Sequence, residues 1–259
     1  MYVKPKKHLG QHFLKNPEIC ENIAAALTGY GDYKDILEIG PGTGALTSFL
    51  LRRKEFHTKV AEIDQESITY LRAYFPELRE NIIDKDFLTL PLDQLYSGQV
   101  AIVGNFPYNI SSQILFRVLD YKELVPEVVG MFQKEVAERV AGHPGNKDYG
   151  ILSVLIQAYY DAEYLFTVGE HEFDPPPKVK SGVIRLKRKT EQAFGCDEKK
   201  FKLLVKTAFN QRRKMLRGSI KSLIPPTVDS TQHVFTLRPE QLTVQDFKDL
   251  TNLIFPDKP

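Results

Sequence analysis

The sequence predicts an α/β fold with a doubly wound, mostly parallel sheet, followed by a small all-helical domain. Strand and helix patterns alternate from residue 36 to about residue 186, as they do where crossover helices join parallel strands. After Thr190 the apolar residues recur at helical spacing, as between Phe201 and Ala208. We therefore predict two domains, residues 1–190 and residues 191–259, with a boundary near residue 190.

Local signals define the individual elements. Asn16 followed by Pro17 is typical of a helix start. Residues 36–39 are typical of a short buried strand, and the glycine-rich residues 40–44 indicate a tight turn into a helix that begins near Ala45. Further strands are predicted at residues 58–63, 81–83, 100–103, 164–168 and 183–186, and a last amphipathic helix at about residues 239–253.

The glycine turn and the next strands predict a nucleoside-binding site. Ala45 stands where a dinucleotide-binding turn has its third glycine, and no Lys-Ser or Lys-Thr pair follows as in a P-loop, so NAD and ATP are weak candidates. Glu62 lies 22 residues after Gly40, the spacing at which an acid at a strand end accepts both ribose hydroxyls. We expect Asp86 to bond an adenine amino group and Phe87 to cover its ring. The alternative for both Glu62 and Asp86 is a charged side chain in a solvent-exposed loop, without a ligand.

Residues 105–108 place an amide, a rigid carbonyl and an aromatic ring together after an apolar strand. The N6 amino group of adenine is a poor nucleophile because its lone pair is delocalised, and acceptors aimed at its protons favour an attacking geometry. The Asn105 side-chain oxygen and the Pro107 carbonyl are the predicted acceptors. Tyr108 is predicted to stack on an unpaired or flipped base. A plain strand-ending turn is the alternative, since these residue types also favour turns.

Motifs along nearly the whole chain carry a family resemblance. They comprise residues 9–14, 38–44, 105–111 and 133–136, Phe173 with residues 175–179, and residues 208–214. With these motifs, in this order, the sequence resembles the ribosomal RNA adenine dimethyltransferases, most of all their bacterial KsgA type. The resemblance implies a Rossmann-like methyltransferase sheet whose late strands pair antiparallel at one edge. It also implies S-adenosylmethionine as methyl donor, S-adenosylhomocysteine as product, and N6,N6-dimethylation of two adjacent adenosines near the 3' end of small-subunit rRNA during ribosome biogenesis.

The resemblance also assigns site residues. It places the methionine end of the donor near Gln11, His12 and Leu14, and beside Gly40 and Gly42. It gives Glu62 the ribose and Asp86 the adenine amino group of the donor, and it makes Asn105 common to donor and target base. Phe173 is assigned as a second aromatic that sandwiches the target base against Tyr108, although it is alternatively a core residue. His12 stands where many relatives have Asn, and Phe106 where many have Leu; a ring N–H of His12 can still donate a hydrogen bond.

The charge distribution indicates an RNA partner. Residues 199–221 contain nine Lys or Arg and no acid, which suits contact with phosphates, although a solvated helix face is the commoner fate of such runs. The predicted RNA-binding residues are Lys206, Arg212, Arg213, Lys214 and Arg217. Alternatively, residues 212–214 pair with Asp246 and Asp249 of the last helix. The first 17 residues add four lysines and no acid, which predicts a flexible basic arm that also holds RNA.

Composition agrees with a cytoplasmic enzyme. The two cysteines, Cys20 and Cys196, form no metal-binding spacing or disulfide framework, and no apolar run reaches the length of a membrane span or a signal peptide. We therefore expect no metal, no membrane association and a monomer that acts on rRNA within the assembling small ribosomal subunit. Methyl transfer is expected to be direct and in line, without a covalent enzyme intermediate, because the sulfonium donor is already a strong electrophile and positioning supplies much of the acceleration.

Three other functions remain open at this point. A large-subunit rRNA adenine methyltransferase of the antibiotic-resistance type shares the donor motifs, but residues 210–214 resemble the small-subunit group. A DNA adenine methyltransferase is chemically equivalent but usually needs a larger target-recognition region. A ribosome-assembly factor with a vestigial donor site is the non-catalytic alternative, and the intact Gly40, Glu62, Asp86 and Asn105 argue against it.

Overall fold

The computed structural model describes residues 2–190 and 193–256, which divide into two compact units. The sheet unit comprises the chain up to Ala137 together with Asp161–Arg188. The helical unit comprises Glu138–Tyr160 together with the described residues from Lys189 onward.

The elements follow in chain order. The strands are β1 (Phe13–Leu14), β2 (Asp35–Ile39), β3 (His57–Glu62), β4 (Ile82–Asp84), β5 (Val100–Asn105), β6 (Glu127–Gln133), β7 (Tyr160–Val168), β8 (Phe173–Asp174) and β9 (Ser181–Arg188). The α-helices are α1 (Pro17–Ala25), α2 (Thr47–Leu50), α3 (Gln65–Tyr74), α4 (Leu92–Leu95), α5 (Ser111–Asp120), α6 (Lys134–Val140), α7 (Ile151–Gln157), α8 (Glu198–Asn210), α9 (Leu216–Ser219) and α10 (Val244–Ile254).

The main sheet has the strand order β4-β3-β2-β5-β6-β9-β7. The first five of these strands are parallel, and β9 runs antiparallel to β6. The doubly wound, mostly parallel sheet predicted from the alternating pattern is therefore confirmed. Because β2, β3, β4 and β5 all point the same way, the residues that follow them meet at one edge, where open α/β sheets bind their ligands.

The turn after β2 depends on glycine. Gly40, Gly42 and Gly44 all have positive φ, at 65°, 55° and 79°. A Cβ at Gly42 would lie 2.7 Å from the ring of Phe13, so the N-terminal segment packs directly on this turn. Helix α2 begins at Thr47, two residues after the predicted start, because the turn takes up more residues than its glycine spacing indicates.

The first helix begins where its sequence predicts. The Asn16 side chain accepts a hydrogen bond from the backbone N–H of Glu18, and Pro17 occupies the first helical position. The helix buries Cys20, Ile23 and Ala24 against a core cluster that also contains residues of β2, β5 and β6. This packing fixes the segment that leads from the N-terminus into the sheet.

The helical unit contains more of the chain than the predicted domain of residues 191–259. The structure groups Glu138–Tyr160, which the sequence prediction assigns to the first domain, with the C-terminal helices. The reason is nonlocal packing, since α7 lies against α8 and the ring of Tyr149 meets that of Phe209 edge-on at 6.4 Å. Helix α10 starts at a capping box formed by Thr243 and Asp246, later than the predicted residue 239.

Candidate active site at the strand ends

A cleft in the sheet unit lies at the carboxyl ends of β2, β3 and β5. Eleven of the predicted donor and target residues line it, namely Gln11, His12, Leu14, Gly40, Gly42, Glu62, Asp86, Phe87, Asn105, Pro107 and Tyr108. Phe173 is not among the residues that line this cleft. The strand-end pattern of the sequence thus brings together residues that are up to 97 positions apart, from Gln11 to Tyr108.

Glu62 is buried at the end of β3, with 5% of its surface exposed. One carboxylate oxygen accepts from the backbone N–H of Gly42 at 3.1 Å, and the other accepts from those of Ile63 and Asp64 at 2.8 and 2.9 Å. Burial raises the pKa of Glu62, while these three N–H donors oppose the increase. Oε1 already accepts two hydrogen bonds and Oε2 accepts one, so the remaining lone pair is on Oε2, which can accept from a diol hydroxyl while Glu62 holds the glycine turn.

A second carboxyl group, Glu38, was not predicted as a site residue. It lines the cleft from the next-to-last position of β2 and is 1% exposed. It accepts a hydrogen bond from the Thr47 hydroxyl at 2.6 Å. Burial raises its pKa to about 8, which the Thr47 bond opposes and the nearby Glu62 increases. The signal in the sequence is an acid inside an otherwise apolar strand.

The N-terminal segment is packed against the sheet unit. Val3 is 3% exposed, and the Lys6 ammonium pairs with Asp64 and lies 3.3 Å from Glu66. Gln11 donates to Asp64 at 3.3 Å. The predicted basic arm is therefore held against the sheet unit at Lys6 and Gln11, because Asp64, two residues after the end of β3, supplies the acid that the local sequence lacks.

Asn105 ends β5 and connects the two parts of the cleft. Its Nδ2 donates to the carbonyl of His12 at 2.9 Å, so the side-chain oxygen is the group left to accept from a ligand. The Pro107 carbonyl, the other predicted acceptor, already accepts from the N–H of Ile110 at 3.2 Å and has one lone pair remaining. Asn105 is thus the better placed of the two acceptors.

Tyr108 is held on two sides. Its hydroxyl lies 2.5 Å from the Ser181 hydroxyl, and its ring stacks on that of His12 with centroids 5.4 Å apart at 29°. His12 donates from Nδ1 to the carbonyl of Pro175 at 2.7 Å, since a carbonyl can only accept. Burial raises the pKa of Tyr108, so the phenol stays protonated at neutral pH. The His12 ring therefore adds an aromatic contact that an Asn at this position cannot make.

Two of the phenylalanines of the motifs, Phe106 and Phe173, have core positions. Phe173 pairs with Leu14 in the two-stranded sheet of β1 and β8 and is 1% exposed within the core cluster. The assignment of Phe173 as the second wall of a base sandwich is thus not realised in this structure, because the strand register directs its ring into the core. Phe106 packs edge-on against Phe132 at 5.0 Å, and a Cβ on the paired strand residues Gly104 or Gly130 would overlap its ring.

The predicted RNA-binding residues in the helical unit differ in their environments. Lys206, Arg213, Lys214 and Arg217 are exposed. Arg212 is half-buried and donates to the carbonyls of Asn146 and Lys147 at 3.3 and 2.6 Å. The alternative pairing with acids of the last helix is not found, since Asp246 bonds Thr243 and Asp249 accepts from Gln245.

Comparison with known proteins identifies the family. The family model of ribosomal RNA adenine dimethylases matches residues 3–255. The chain belongs to this family. A ribosomal RNA small subunit methyltransferase A from Cytophaga hutchinsonii is 58% identical over 252 residues, which cover 97% of this chain and 98% of that protein. A protein of the same name from Bacteroides fragilis is 56% identical over 254 residues, covering 97% of this chain and 93% of that protein.

Two solved structures extend the comparison. A dimethyladenosine transferase from Plasmodium falciparum is 25% identical and superposes with a TM-score of 0.75, covering 93% of this chain and 95% of that one. The 23S rRNA methyltransferase ErmE is 26% identical with a TM-score of 0.67, covering 93% of this chain and 99% of that one. This adenine dimethylase chain therefore has the Rossmann-like methyltransferase fold that its motifs imply. Across residues 2–190 and 193–256, no helix is long and apolar enough to cross a membrane.

Proposed function

We propose that this protein transfers methyl groups from S-adenosylmethionine to N6 of two adjacent adenosines near the 3' end of small-subunit rRNA. The products are N6,N6-dimethyladenosines and S-adenosylhomocysteine. The observation that carries the proposal is the match to the adenine dimethylase family over residues 3–255, in a chain whose cleft assembles the donor and acceptor motifs at one sheet edge. The proposed enzyme is a cytoplasmic monomer, and its partner is the small subunit during assembly.

In the donor half of the cleft, each polar group has a proposed role. Glu62 accepts from the ribose diol through Oε2, and the backbone of Gly40 and Gly42 lines the cleft beside the methionine part. Asp86 receives the adenine amino group and Phe87 lies along its ring. Asp86 also accepts from the N–H of Leu88 at 2.9 Å, which fixes the orientation of its carboxylate.

In the acceptor half, Asn105 and Tyr108 position the target base. The Asn105 oxygen accepts a hydrogen bond from one N6–H and turns the nitrogen lone pair toward the donor methyl, while Tyr108 stacks on the ring. Nitrogen attacks the methyl carbon as the carbon–sulfur bond breaks, and the N6 proton then passes to water. A second round follows by the same path, since the monomethylated nitrogen still carries one proton and one lone pair.

The exposed basic residues of the helical unit supply affinity for RNA in this proposal. Lys206, Arg213, Lys214 and Arg217 are exposed, and we propose that they neutralise phosphates without reading bases. Arg212, whose guanidinium holds the loop at Asn146 and Lys147, supports the shape of this surface. Substrate choice then depends on the shape of the assembled subunit more than on base identity.

One experiment tests the proposal against its alternatives. Purified protein and labelled S-adenosylmethionine are incubated with unmethylated small subunits, large subunits, naked rRNA and duplex DNA, and modified bases are located by mass spectrometry. Dimethyladenosine at two adjacent positions of small-subunit rRNA is the expected result. The similarity to the 23S rRNA methyltransferase ErmE makes large-subunit methylation the second candidate, and label in large subunits alone would favour it.

A further inference from the structure

We propose that Ser181 is a positioning residue that holds the ring of Tyr108 in the orientation needed to stack on the target adenine. The Ser181 hydroxyl lies 2.5 Å from the Tyr108 hydroxyl across 73 residues of sequence. This inference rests on the proposed function, since it assumes that Tyr108 contacts the base. No sequence motif used to predict the site includes Ser181.

Ser181 lies in a hydrogen-bonded strand of the sheet unit, whereas Tyr108 lies in a turn. Ser181 is fully buried at the start of β9, where it pairs with Gln133 of the interior strand β6. The N–H of Lys134 donates to the carbonyl of Lys180 at 2.9 Å and extends this pairing by one residue. Tyr108 lies in the turn between β5 and α5, so the hydroxyl pair connects a turn residue to a paired strand of the sheet.

The remaining contacts of Tyr108 do not fix its ring in the same way. Ser111 donates to the Tyr108 carbonyl at 3.1 Å, which restrains the backbone and leaves the side chain free to rotate. The stacked His12 ring is itself fixed by its bond to the Pro175 carbonyl and by the pairing of β1 with β8, and it restrains one face of the Tyr108 ring without holding the Tyr108 hydroxyl. Ser181 is therefore the contact that sets the ring direction from the sheet.

The hydroxyl pair suits a positioning role better than a chemical one. Burial and the charge of Glu170 raise the pKa of Tyr108, and the Ser181 bond only partly offsets this, so the phenol is not the group that removes the N6 proton. Removing either hydroxyl leaves the Tyr108 ring intact but removes the hydrogen bond that fixes its orientation. A hydrogen bond between neutral groups of this kind corresponds to roughly a fivefold to tenfold effect on turnover.

A double-mutant cycle tests the proposal. Ser181→Ala and Tyr108→Phe each remove one hydroxyl and keep the ring. Turnover on unmethylated small subunits, measured at saturating donor, is expected to fall by roughly fivefold to tenfold in each variant. The double variant is expected to be no slower than either single one, because all three lack the same bond. Ser181→Thr, which restores a hydroxyl, is expected to recover most of the turnover, and donor binding measured by calorimetry is expected to stay unchanged.

A matched control separates positioning from folding. Ser153 of the helical unit is as fully buried as Ser181, and its hydroxyl accepts from the N–H of Gly150 at 2.9 Å. Ser153→Ala is expected to lower the melting temperature without changing turnover of the folded fraction. A fluorescent 2-aminopurine at the target position gives a direct signal: quenching by stacking is expected with the wild-type protein and is expected to weaken with Ser181→Ala.

The outcomes distinguish this inference from the proposed function. If the wild-type protein does not methylate small subunits, the proposed function fails. If Tyr108→Ala keeps normal turnover, Tyr108 is not in the base site. If Tyr108→Ala is inactive while Tyr108→Phe and Ser181→Ala both match the wild type, or if their losses add in the double variant, the positioning role of Ser181 is overturned. Tyr108→Phe keeps Ser181 in place, so the test remains decisive even if Ser181→Ala does not fold.

Discussion

Glu62 accepts a hydrogen bond from the backbone N–H of Gly42 at 3.1 Å, which joins the end of β3 to the glycine turn after β2. The same carboxylate is the proposed ribose ligand. Its position therefore depends on the turn, and the turn depends on it. The hydrogen bond therefore couples two motif residues, Gly42 and Glu62, that are 20 residues apart in the sequence.

Glu62→Ala is expected to weaken binding of S-adenosylhomocysteine at least about tenfold, because charged hydrogen bonds of this kind contribute on the order of 1.5 to 3 kcal/mol. Calorimetry measures the change. Asp84→Ala is the matched control, since Asp84 is an exposed strand-end acid whose bond to Gln65 lies outside the cleft. An unchanged dissociation constant for Glu62→Ala would remove it from the donor site.

The ionisation of Glu38 is expected to make the stability of the protein depend on pH. Its pKa is raised from 4.5 to about 8 in the folded protein, because burial disfavours the charged form. Between these two pH values the folded state keeps the proton that the unfolded state releases, so stability falls as pH rises, by up to about 1.4 kcal/mol per pH unit. Below pH 4.5 both states are protonated and this effect vanishes.

Glu38→Gln isolates this titration, since the amide cannot ionise and its oxygen can still accept from Thr47. Denaturant unfolding of both proteins is measured from pH 4.5 to 8. The stability of the variant relative to the wild type is expected to increase steadily across this range. A constant difference would show that Glu38 has the same pKa in the folded and unfolded states.

Asn105→Ala is expected to lower turnover on small subunits by on the order of a hundredfold, as when one preorganised hydrogen-bond partner is removed from a reacting group. Turnover is measured at saturating donor, because Asn105 lies against both ligands in the proposed site. Small-subunit binding is expected to persist. Asn109→Ala serves as the control, because Asn109 also donates to the N-terminal segment, at the His8 carbonyl, but has no proposed base contact. Near-normal dimethylation by Asn105→Ala would contradict its assignment.

The parts of the fold that the sequence predicts well are those with local signals. The cap at Asn16 and Pro17 and the strand-end residues Glu62 and Asn105 are defined by their neighbours in sequence and by the common direction of parallel strands. The burial of Phe173 depends on the register of β1 against β8, which no short pattern contains. The pairing of Tyr108 with Ser181 depends in the same way on contacts distant in the chain.

The helical unit illustrates the same limit. A run of basic residues in the sequence does not show which of their side chains already form hydrogen bonds with other parts of the protein. Arg212, Arg213 and Lys214 are consecutive in the sequence, yet only Arg212 donates to the carbonyls of the loop at Asn146 and Lys147. That loop belongs to the stretch Glu138–Tyr160, which the sequence does not place beside these residues.

Arg213 and Lys214 are expected to respond to substitution differently from Arg212. Replacing both Arg213 and Lys214 with Ala is expected to lower the slope of log affinity against log salt for small subunits by up to about two units, because each phosphate contact contributes about 0.9. The melting temperature is expected to stay the same, since both side chains are exposed. Arg212→Ala is expected to do the opposite: the carbonyls of Asn146 and Lys147 lose their donor, so the protein melts earlier while its folded fraction keeps the wild-type slope. If the double variant binds with an unaltered slope, the RNA surface of the helical unit lies elsewhere, and Lys206 and Arg217 are the next residues to test by the same measurement.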